Sequence, residues 1–245
     1  MIDNKKLEKL MEIIKNSSSI VFFGGAGVST ASNIPDFRGS NGLYKHSPEE
    51  IISHSFFLNN TKEFFEFYFS KMVFKDALPN DCHKFLKKLE DDNKLKAVIT
   101  QNIDDLHQKA GCKRVIELHG SVFRNYCMKC HQFYDLNNKI FDNLEGIPYC
   151  SCGGIIKPDV VLYEEALNQD DIYAAINEIA TCETLIIGGT SLVVYPAASF
   201  VRYFRGKNLI VINLGEQVKL NGVDLYINGR IEEYLNLENY NKYLK

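Results

Sequence analysis

The sequence lacks any apolar run that approaches the roughly 20 residues a helix needs to cross a membrane. Its first sixteen residues also lack the uninterrupted apolar segment of a secretion signal, because charges are spread through them. Instead, the apolar residues of Lys5–Lys15 recur at helical spacing, at Leu7, Leu10, Met11 and Ile14. This pattern predicts an amphipathic helix with one face on the core, and we expect a soluble, cytoplasmic protein with no membrane partner.

The sequence also has no excess of positive charge, since the formal net charge of its 245 residues is −3. Nucleic-acid-binding domains are usually basic, so we expect no nucleic-acid partner. There is no internal repeat, low-complexity tract or evident linker. With 45% hydrophobic residues, the chain is expected to fold as one large domain or as one domain with a small satellite.

A glycine-rich turn follows the first buried-strand pattern, Ile20–Phe23. Gly24, Gly25 and Gly27 permit a sharp turn and a close approach to a ligand, and a helix that starts after such a turn aims amide N–H groups at phosphate. This pattern indicates a nucleotide site, although an ordinary structural turn shares it. Two features of a dinucleotide dehydrogenase are missing. Thr30 stands where G-x-G-x-x-G has its third glycine, and no acidic residue closes a second strand about 20 residues on.

The segment after this turn contains Pro35-Asp36-Phe37-Arg38. Arg38 can clamp a phosphate and Phe37 adds an aromatic ring, which favours a loop that folds over the ligand. A surface loop with a Pro-Asp turn is the alternative. From Ser40 to Pro79 the chain is rich in aromatic residues, and we predict a flexible start at Ser40–Ser47 and then short helices whose aromatic side chains lie mainly in the core.

Small or polar residues follow further apolar runs, as glycines follow the first. Leu95–Ile99 leads into Gln101, Asn102, Ile103 and Asp104; Val115–Leu118 into His119; Thr184–Ile187 into Gly189, Thr190 and Ser191; and Leu209–Ile212 into Asn213. Predicted helices alternate with these runs at Asn80–Glu90, Asp105–Ala110, Gln169–Ala180 and Pro196–Arg205, and Val223–Ile227 and Ile231–Tyr243 form a last strand and a closing helix. The alternation predicts an α/β protein with a doubly wound parallel sheet, whose carboxyl strand ends form the ligand-binding edge.

Three residues at this edge are candidates for chemistry. His119 titrates near neutrality and can accept a proton, whereas a lone histidine at a strand end is often structural. Asn102 and Asp104 are two residues apart, so in extended backbone they face the same way and can read a carboxamide or order a water molecule. The alternative for Asp104 is a cap on the following short helix.

Four of the seven cysteines lie in a segment that breaks the α/β alternation, Asn125–Ile156. They form Cys127-x2-Cys130 and Cys150-x-Cys152, separated by nineteen residues. A segment so polar and short has little core of its own, and four thiolates around Zn²⁺ would stabilise it. A disulfide or redox role, or His131 as a substitute ligand, is the alternative.

Several motifs together resemble the sirtuin family of NAD-dependent protein deacylases, in its bacterial type. They are GAGVST followed by IPDFRG, TQNIDDLHQKAG from Thr100 to Gly111, and ELHG from Glu117 to Gly120. The paired cysteines, KPDVVLYEE and GGTS follow in the order that the family shows, and the resemblance covers roughly residues 17–228.

The resemblance implies a fold, an activity and a set of roles. The fold is a Rossmann-like NAD-binding domain (residues 1–40, 80–120 and 158–245), a helical, flexible cofactor-loop insertion (41–79) and a zinc-binding module (121–157). The activity is removal of an acyl group from a protein or peptide lysine, with transfer of that group to ADP-ribose and release of nicotinamide. His119 is implied as the general base for a ribose hydroxyl, and Asn102 and Asp104 line the nicotinamide pocket. NAD as co-substrate is implied to bind at Gly25, Ala26, Gly27, Thr30, Phe37, Arg38, Gln101, Asn102, Ile103, Asp104, His119, Gly189, Thr190, Ser191, Asn213 and Asp224. Zn²⁺ on Cys127, Cys130, Cys150 and Cys152 is implied to be structural.

The peptide is implied to lie extended along Val161, Leu162, Tyr163 and Glu164, by main-chain pairing. Glu164 stands where the family usually has glycine, Asp105 replaces a common small residue and is expected to face solvent, and the second cysteine pair is one residue short. Tyr68 is followed three residues on by Lys71, whereas sirtuins that remove acidic acyl groups carry Tyr-x-x-Arg. Lysine lacks the planar bidentate contact of arginine, so a deacetylase, or a deacylase of neutral chains, is predicted.

Two other functions are compatible with parts of this pattern. An NAD-dependent protein ADP-ribosyltransferase would use the same site with a different acceptor. A non-catalytic NAD-sensing or interaction module is disfavoured by the joint presence of His119, Asn102 and Asp104.

Overall fold

The structure is a computed structural model that describes residues 2–36, 48–142, 146–215 and 220–245. Phe37, Arg38 and the predicted flexible stretch at Ser40–Ser47 therefore lie outside the described residues. No helix in the described ranges is long and apolar enough to span a membrane.

The described strands and helices can be numbered in chain order. The strands are β1 (Ile20–Gly24), β2 (Leu95–Thr100), β3 (Val115–Glu117), β4 (Gly120–Cys127), β5 (Phe133–Asp135), β6 (Ile156–Val160), β7 (Thr184–Gly188), β8 (Asn208–Ile212) and β9 (Leu225–Ile227). The helices are α1 (Asn4–Asn16), α2 (Pro48–Ile51), α3 (His54–Asn59), α4 (Thr61–Lys71), α5 (Asp81–Asp91), α6 (Leu106–Lys109), α7 (Gln169–Thr181), α8 (Ile231–Tyr234) and α9 (Leu237–Tyr243). Short 3₁₀ segments occupy Ala26–Val28, Thr30–Ser32, Lys139–Phe141 and Ala197–Tyr203.

A parallel sheet with the strand order β3-β2-β1-β7-β8-β9 forms the centre of the described structure. The chain builds outward from β1 to β3 on one side and from β7 to β9 on the other. The adjacent strands β1 and β7 therefore form the topological switch point of the sheet, and ligands of open α/β sheets bind at the carboxyl ends of the strands at such a point. The predicted α/β class with a doubly wound parallel sheet is confirmed.

Both faces of the sheet are covered, which explains why β1 and β7 are apolar along their whole length. Helices α1, α5 and α9 pack on one face around buried residues such as Leu10, Phe85 and Ile186. Helix α7 and the 3₁₀ segment Ala197–Tyr203 cover the other face. The apolar positions predicted for α1 are the ones it buries.

A second, three-stranded antiparallel sheet with the order β5-β4-β6 carries the cysteine pairs. It packs with the aromatic helices α3 and α4 in one buried cluster that includes Phe57, Phe64, Phe65 and Tyr68. The expectation that these aromatic residues are mainly core is therefore met. The exact boundaries of the three predicted regions stay a prediction.

Three element predictions differ from the structure. The closing helix is two helices, because Asn236 adopts extended backbone and its side chain accepts a hydrogen bond from Asn239 N, which starts α9 anew. The helix predicted at Pro196–Arg205 is 3₁₀ rather than α. The last strand begins at Leu225 rather than Val223.

Candidate functional site

The loops that follow β1 and β7 lie against each other at the carboxyl edge of the sheet. Gly25 N–H donates to Gly188 O at 3.2 Å, and Gly27 N–H donates to Gly189 O at 2.8 Å. A Cβ at Gly25 would lie 2.8 Å from Thr190 Cβ, and one at Gly27 would lie 2.8 Å from Gly189 Cα. Glycine is thus required at these two positions by the close approach of the neighbouring loop, and the predicted approach to a ligand stays a prediction.

Ser29 connects this glycine turn to the loop after β2. Its hydroxyl accepts a hydrogen bond from Asn102 Nδ2 at 3.1 Å and donates to Asp104 Oδ2 at 2.6 Å. The two residues predicted to face the same way therefore converge on one buried hydroxyl. Sequence reasoning missed Ser29, although its position inside the GAGVST motif was the available signal.

Asp104 makes the helix contact that the sequence offered as one alternative, and its role toward a cofactor stays a prediction. Its Oδ1 accepts from Leu106 N at 3.0 Å at the start of α6, while Oδ2 receives the Ser29 hydroxyl. Burial raises the pKa of this carboxyl above its usual value. The adjacent Asp105, expected to face solvent, is half-buried in left-handed backbone and accepts a hydrogen bond from the Ser121 hydroxyl.

His119 follows β3, and its Nδ1 lies 2.9 Å from Gln101 O. A carbonyl oxygen only accepts hydrogen bonds, so the neutral ring carries its proton on Nδ1 and has a lone pair on Nε2. Burial lowers the pKa of His119, an effect partly offset by the bond to Gln101. The ring is thus held neutral in one tautomer, with Nε2 available as a base.

Other predicted cofactor residues lie at the same edge. Gln101 Nε2 is 3.3 Å from Thr190 Oγ1, and the Thr30 hydroxyl donates to Gly27 O at 3.1 Å. Ile103 O accepts from Val122 N at 3.0 Å, which connects the β2 loop to the second sheet. Ala26 lies in the 3₁₀ turn after β1, Ser191 follows Thr190 after β7, and Asn213 directly follows β8.

Asp224 is the exception. It precedes β9, and its Oδ2 accepts from Leu209 N near the start of β8. The carboxyl end of β8 is three residues further along, about 10 Å away at the usual rise of a strand. This placement contradicts the predicted cofactor role. The residue that follows β9 at the carboxyl edge is Asn228, whose Oδ1 accepts from Gly215 N at 3.1 Å.

The predicted peptide segment lies beside His119. Val161 N–H donates to His119 O at 3.0 Å, and Tyr163 pairs with the chain at the start of α3, through Ile52 O and His54 N. Leu162 is buried, whereas Tyr163 and Glu164 are exposed. Glu164 has a φ of +77°, so it keeps a conformation that favours glycine.

The four predicted metal ligands form a cluster. The sulfur atoms of Cys127, Cys130, Cys150 and Cys152 all lie within 4.8 Å of one another. The Sγ–Sγ distance is 3.5 Å between Cys127 and Cys152 and 3.6 Å between Cys130 and Cys150. A tetrahedron with Zn–S bonds of about 2.3 Å has S–S edges of about 3.8 Å, so these residues fit structural zinc.

The shortened Cys150-x-Cys152 pair is accommodated by a tight turn. Gly153 N–H donates to Cys150 O, and Cys150 N–H donates to Gly154 O, each at 2.8 Å. The Tyr134 hydroxyl lies 3.1 Å from Cys150 Sγ and supports that sulfur from outside the cluster. His131 is not a member of the cluster, and none of the described cysteines is in a disulfide.

This geometry defines a class of protein: a doubly wound nucleotide-binding domain with a neutral histidine at its carboxyl edge and a four-cysteine module beside it. Comparison with known proteins identifies the family. The profile of the Sir2 family matches residues 25–196, which is more than half of the chain. The chain belongs to the Sir2 family.

Similar proteins agree with this assignment. An NAD-dependent protein deacetylase of Clostridium perfringens is 56% identical over 238 residues, which are 94% of this chain and 97% of that protein. One of Clostridium acetobutylicum is 55% identical over 237 residues, 94% of this chain and 96% of that protein. A solved structure described as "Sir2-p53 peptide-NAD+" has a TM-score of 0.83 and 35% identity, and the match covers 96% of this chain and 98% of that one.

Proposed function

We propose that this protein is an NAD-dependent protein lysine deacetylase that transfers the acyl group from lysine to ADP-ribose and releases nicotinamide. The observation that carries the proposal is the orientation of His119, whose Nδ1 is engaged by Gln101 O at 2.9 Å. A base whose Nε2 has no hydrogen-bond partner among the described residues thus lies beside the glycine turn and the Asn102–Ser29–Asp104 cluster. The similarity to the two Clostridium proteins named NAD-dependent protein deacetylase supports the same conclusion.

The loops at the carboxyl edge are suited to hold NAD. The turn after β1 and the residues Gly189, Thr190 and Ser191 after β7 flank the switch point, where a pyrophosphate is expected. Asn213, and Asn228 in place of Asp224, lie further along the same edge on the side proposed for adenosine. When bound, NAD supplies the labile glycosidic bond and the ADP-ribose acceptor.

The residues of the chain then have distinct tasks. Asn102 and Asp104, fixed by Ser29, orient the nicotinamide carboxamide. His119 Nε2 accepts the proton of a ribose hydroxyl, which makes that oxygen a nucleophile toward the acyl carbon. The sulfur cluster lies at the end of β4 and in the turns beside the second sheet, and it stabilises that module without taking part in the reaction.

This role predicts how activity depends on pH. The base must be neutral, so kcat/KM should fall as the pH falls through the pKa of His119 in the folded protein. Because burial lowers that pKa below the usual 6.5, the midpoint of the acid limb should lie below pH 6.5. A pH–rate profile with an acetyl-lysine peptide tests this, and a midpoint above 6.5 would contradict it.

The acyl preference can be predicted from α4. Tyr68 is fully buried in the aromatic cluster, whereas Lys71 is exposed, so the two residues do not share one environment. Neither supplies the bidentate cationic contact that an acidic acyl group requires. Matched acetyl-lysine and succinyl-lysine peptides should differ in kcat/KM by about tenfold or more in favour of acetyl. Faster removal of succinyl would show that the site has another cation for the acyl carboxylate.

The proposed function is tested by incubating the protein with an acetyl-lysine peptide, with and without NAD, and separating the products by chromatography. We expect deacetylated peptide and nicotinamide in equal amounts, and only when NAD is present. Peptide turnover without NAD, or nicotinamide release that does not depend on the peptide, would argue against it.

We also propose a cytoplasmic location. The support is the number of cysteines, seven in the sequence, none of which is paired in a disulfide within the described residues; such usage suits a reducing compartment. Fractionation of cells expressing the chain tests this, and recovery outside the cytoplasm would refute it.

A further inference from the structure

The peptide segment contains a tight turn whose third residue is Glu164. Glu165 N–H donates to Leu162 O at 3.0 Å, which closes the turn, and Glu164 has a φ of +77°. This is the geometry of a type II turn, in which glycine is the usual residue at that position. A glutamate there needs contacts that hold its backbone in the left-handed region.

The Glu164 carboxylate supplies those contacts. It accepts hydrogen bonds from Ser55 N at 2.8 Å and from Ser55 Oγ at 2.9 Å. Both oxygens are used, and both partners belong to Ser55 in α3. The side chain therefore anchors the turn to a neighbouring helix, although Glu164 itself is exposed.

The anchored turn is paired on one side with the start of α3. Tyr163 N–H donates to Ile52 O at 3.1 Å, and Tyr163 O accepts from His54 N at 2.9 Å. In a trans peptide unit the C=O and the following N–H point in opposite directions. Because Tyr163 O points to His54, the N–H of Glu164 points away from α3.

We propose that Glu164 is a positioning residue for the peptide substrate. Its carboxylate, held by Ser55, fixes the turn that presents the Glu164 N–H to the main chain of an extended acyl-lysine peptide. This inference rests on the proposed function, which requires an acyl-lysine peptide beside His119. The edge is continuous with the catalytic histidine, since Val161 N–H donates to His119 O.

The test compares steady-state kinetics of Glu164→Ala, Glu164→Gln and Glu164→Gly with those of wild type. Losing hydrogen bonds to a charged group should raise the peptide KM of Glu164→Ala about tenfold, with kcat and the KM for NAD within about twofold. Glu164→Gln should stay near wild type, because its amide oxygen still accepts from Ser55 N. Glu164→Gly keeps the backbone conformation accessible but loses the anchor, so its peptide KM should also rise.

The control is Glu63→Ala, which removes an exposed carboxylate from α4 and should change none of these constants. The proposal is overturned if Glu164→Ala or Glu164→Gly keeps the wild-type peptide KM. It is also overturned if Glu164→Ala lowers kcat, NAD affinity and the melting temperature together, since that is the signature of a general structural role.

Failure of the proposed function would look different. In that case wild type itself would not deacetylate the peptide, and the anchor would be tested by fluorescence anisotropy of a labelled acetyl-lysine peptide. Weaker binding by Glu164→Ala than by wild type would support the positioning role, and equal binding, or no binding by wild type, would reject it.

Discussion

Replacing His119 with alanine should lower kcat for NAD-dependent deacetylation by about 10³-fold, the usual contribution of a positioned general base. The reason is geometric. The bond from Nδ1 to Gln101 O fixes the tautomer, and Nε2 is the base we assign to the ribose hydroxyl. The alanine variant loses that base but keeps the glycine turn and the Ser29 cluster, so NAD affinity should change much less than kcat.

The matched control is His131→Asn. His131 is exposed, has a φ of +60° and lies outside the sulfur cluster, and asparagine tolerates this backbone conformation. Its kcat and melting temperature should equal those of wild type. Unchanged turnover in His119→Ala would revive the view of the chain as a non-catalytic NAD-binding module.

Loss of one cluster sulfur should have the largest effect on stability. Cys150→Ser removes a ligand that lies 3.6 Å from Cys130 Sγ and receives the Tyr134 hydroxyl. A small module whose folding is coupled to metal should release its zinc and unfold locally. For a protein of this size, each kcal/mol lost from the free energy of unfolding lowers the melting temperature by about 2–4 °C. Loss of a few kcal/mol therefore lowers it by roughly 10 °C.

Zinc content and thermal unfolding of the purified proteins measure this prediction. Wild type should hold one zinc per chain, and Cys150→Ser should hold much less. Cys182→Ala is the control, because Cys182 is buried but lies in the core next to α7 and not in the cluster. Stoichiometric zinc in Cys150→Ser, or none in wild type, would contradict the assignment of a structural metal site.

Much of the site could be predicted because parallel strands place the residues that follow them at one edge of a sheet. Asn102, His119 and Thr190 come from separate parts of the sequence, yet each lies two residues after the end of a parallel strand. Asp224 is different, because only the family resemblance suggested it and it does not follow a strand. It precedes β9, at the amino-terminal edge of the sheet, where its carboxylate accepts from Leu209 N.

Other features could not be read from sequence because they are properties of tertiary contacts. The left-handed conformations of Asp105 and Glu164 become tolerable through Ser121 and Ser55, which lie in distant parts of the chain. The role of Ser29 likewise depends on two partners more than 70 residues away. The break in the closing helix arises because the Asn236 side chain accepts a hydrogen bond from Asn239 N. This bond caps α9 and replaces the backbone bonds of one continuous helix.

The central claim is that loops from separate strands form one site in which an acyl group passes from lysine to ADP-ribose. The most direct test is the mass of the nucleotide product formed from NAD and an acetyl-lysine peptide. Acetyl-ADP-ribose should appear in an amount equal to the deacetylated peptide. ADP-ribose attached to protein or peptide, with the acetyl-lysine intact, would contradict the account and identify an ADP-ribosyltransferase instead.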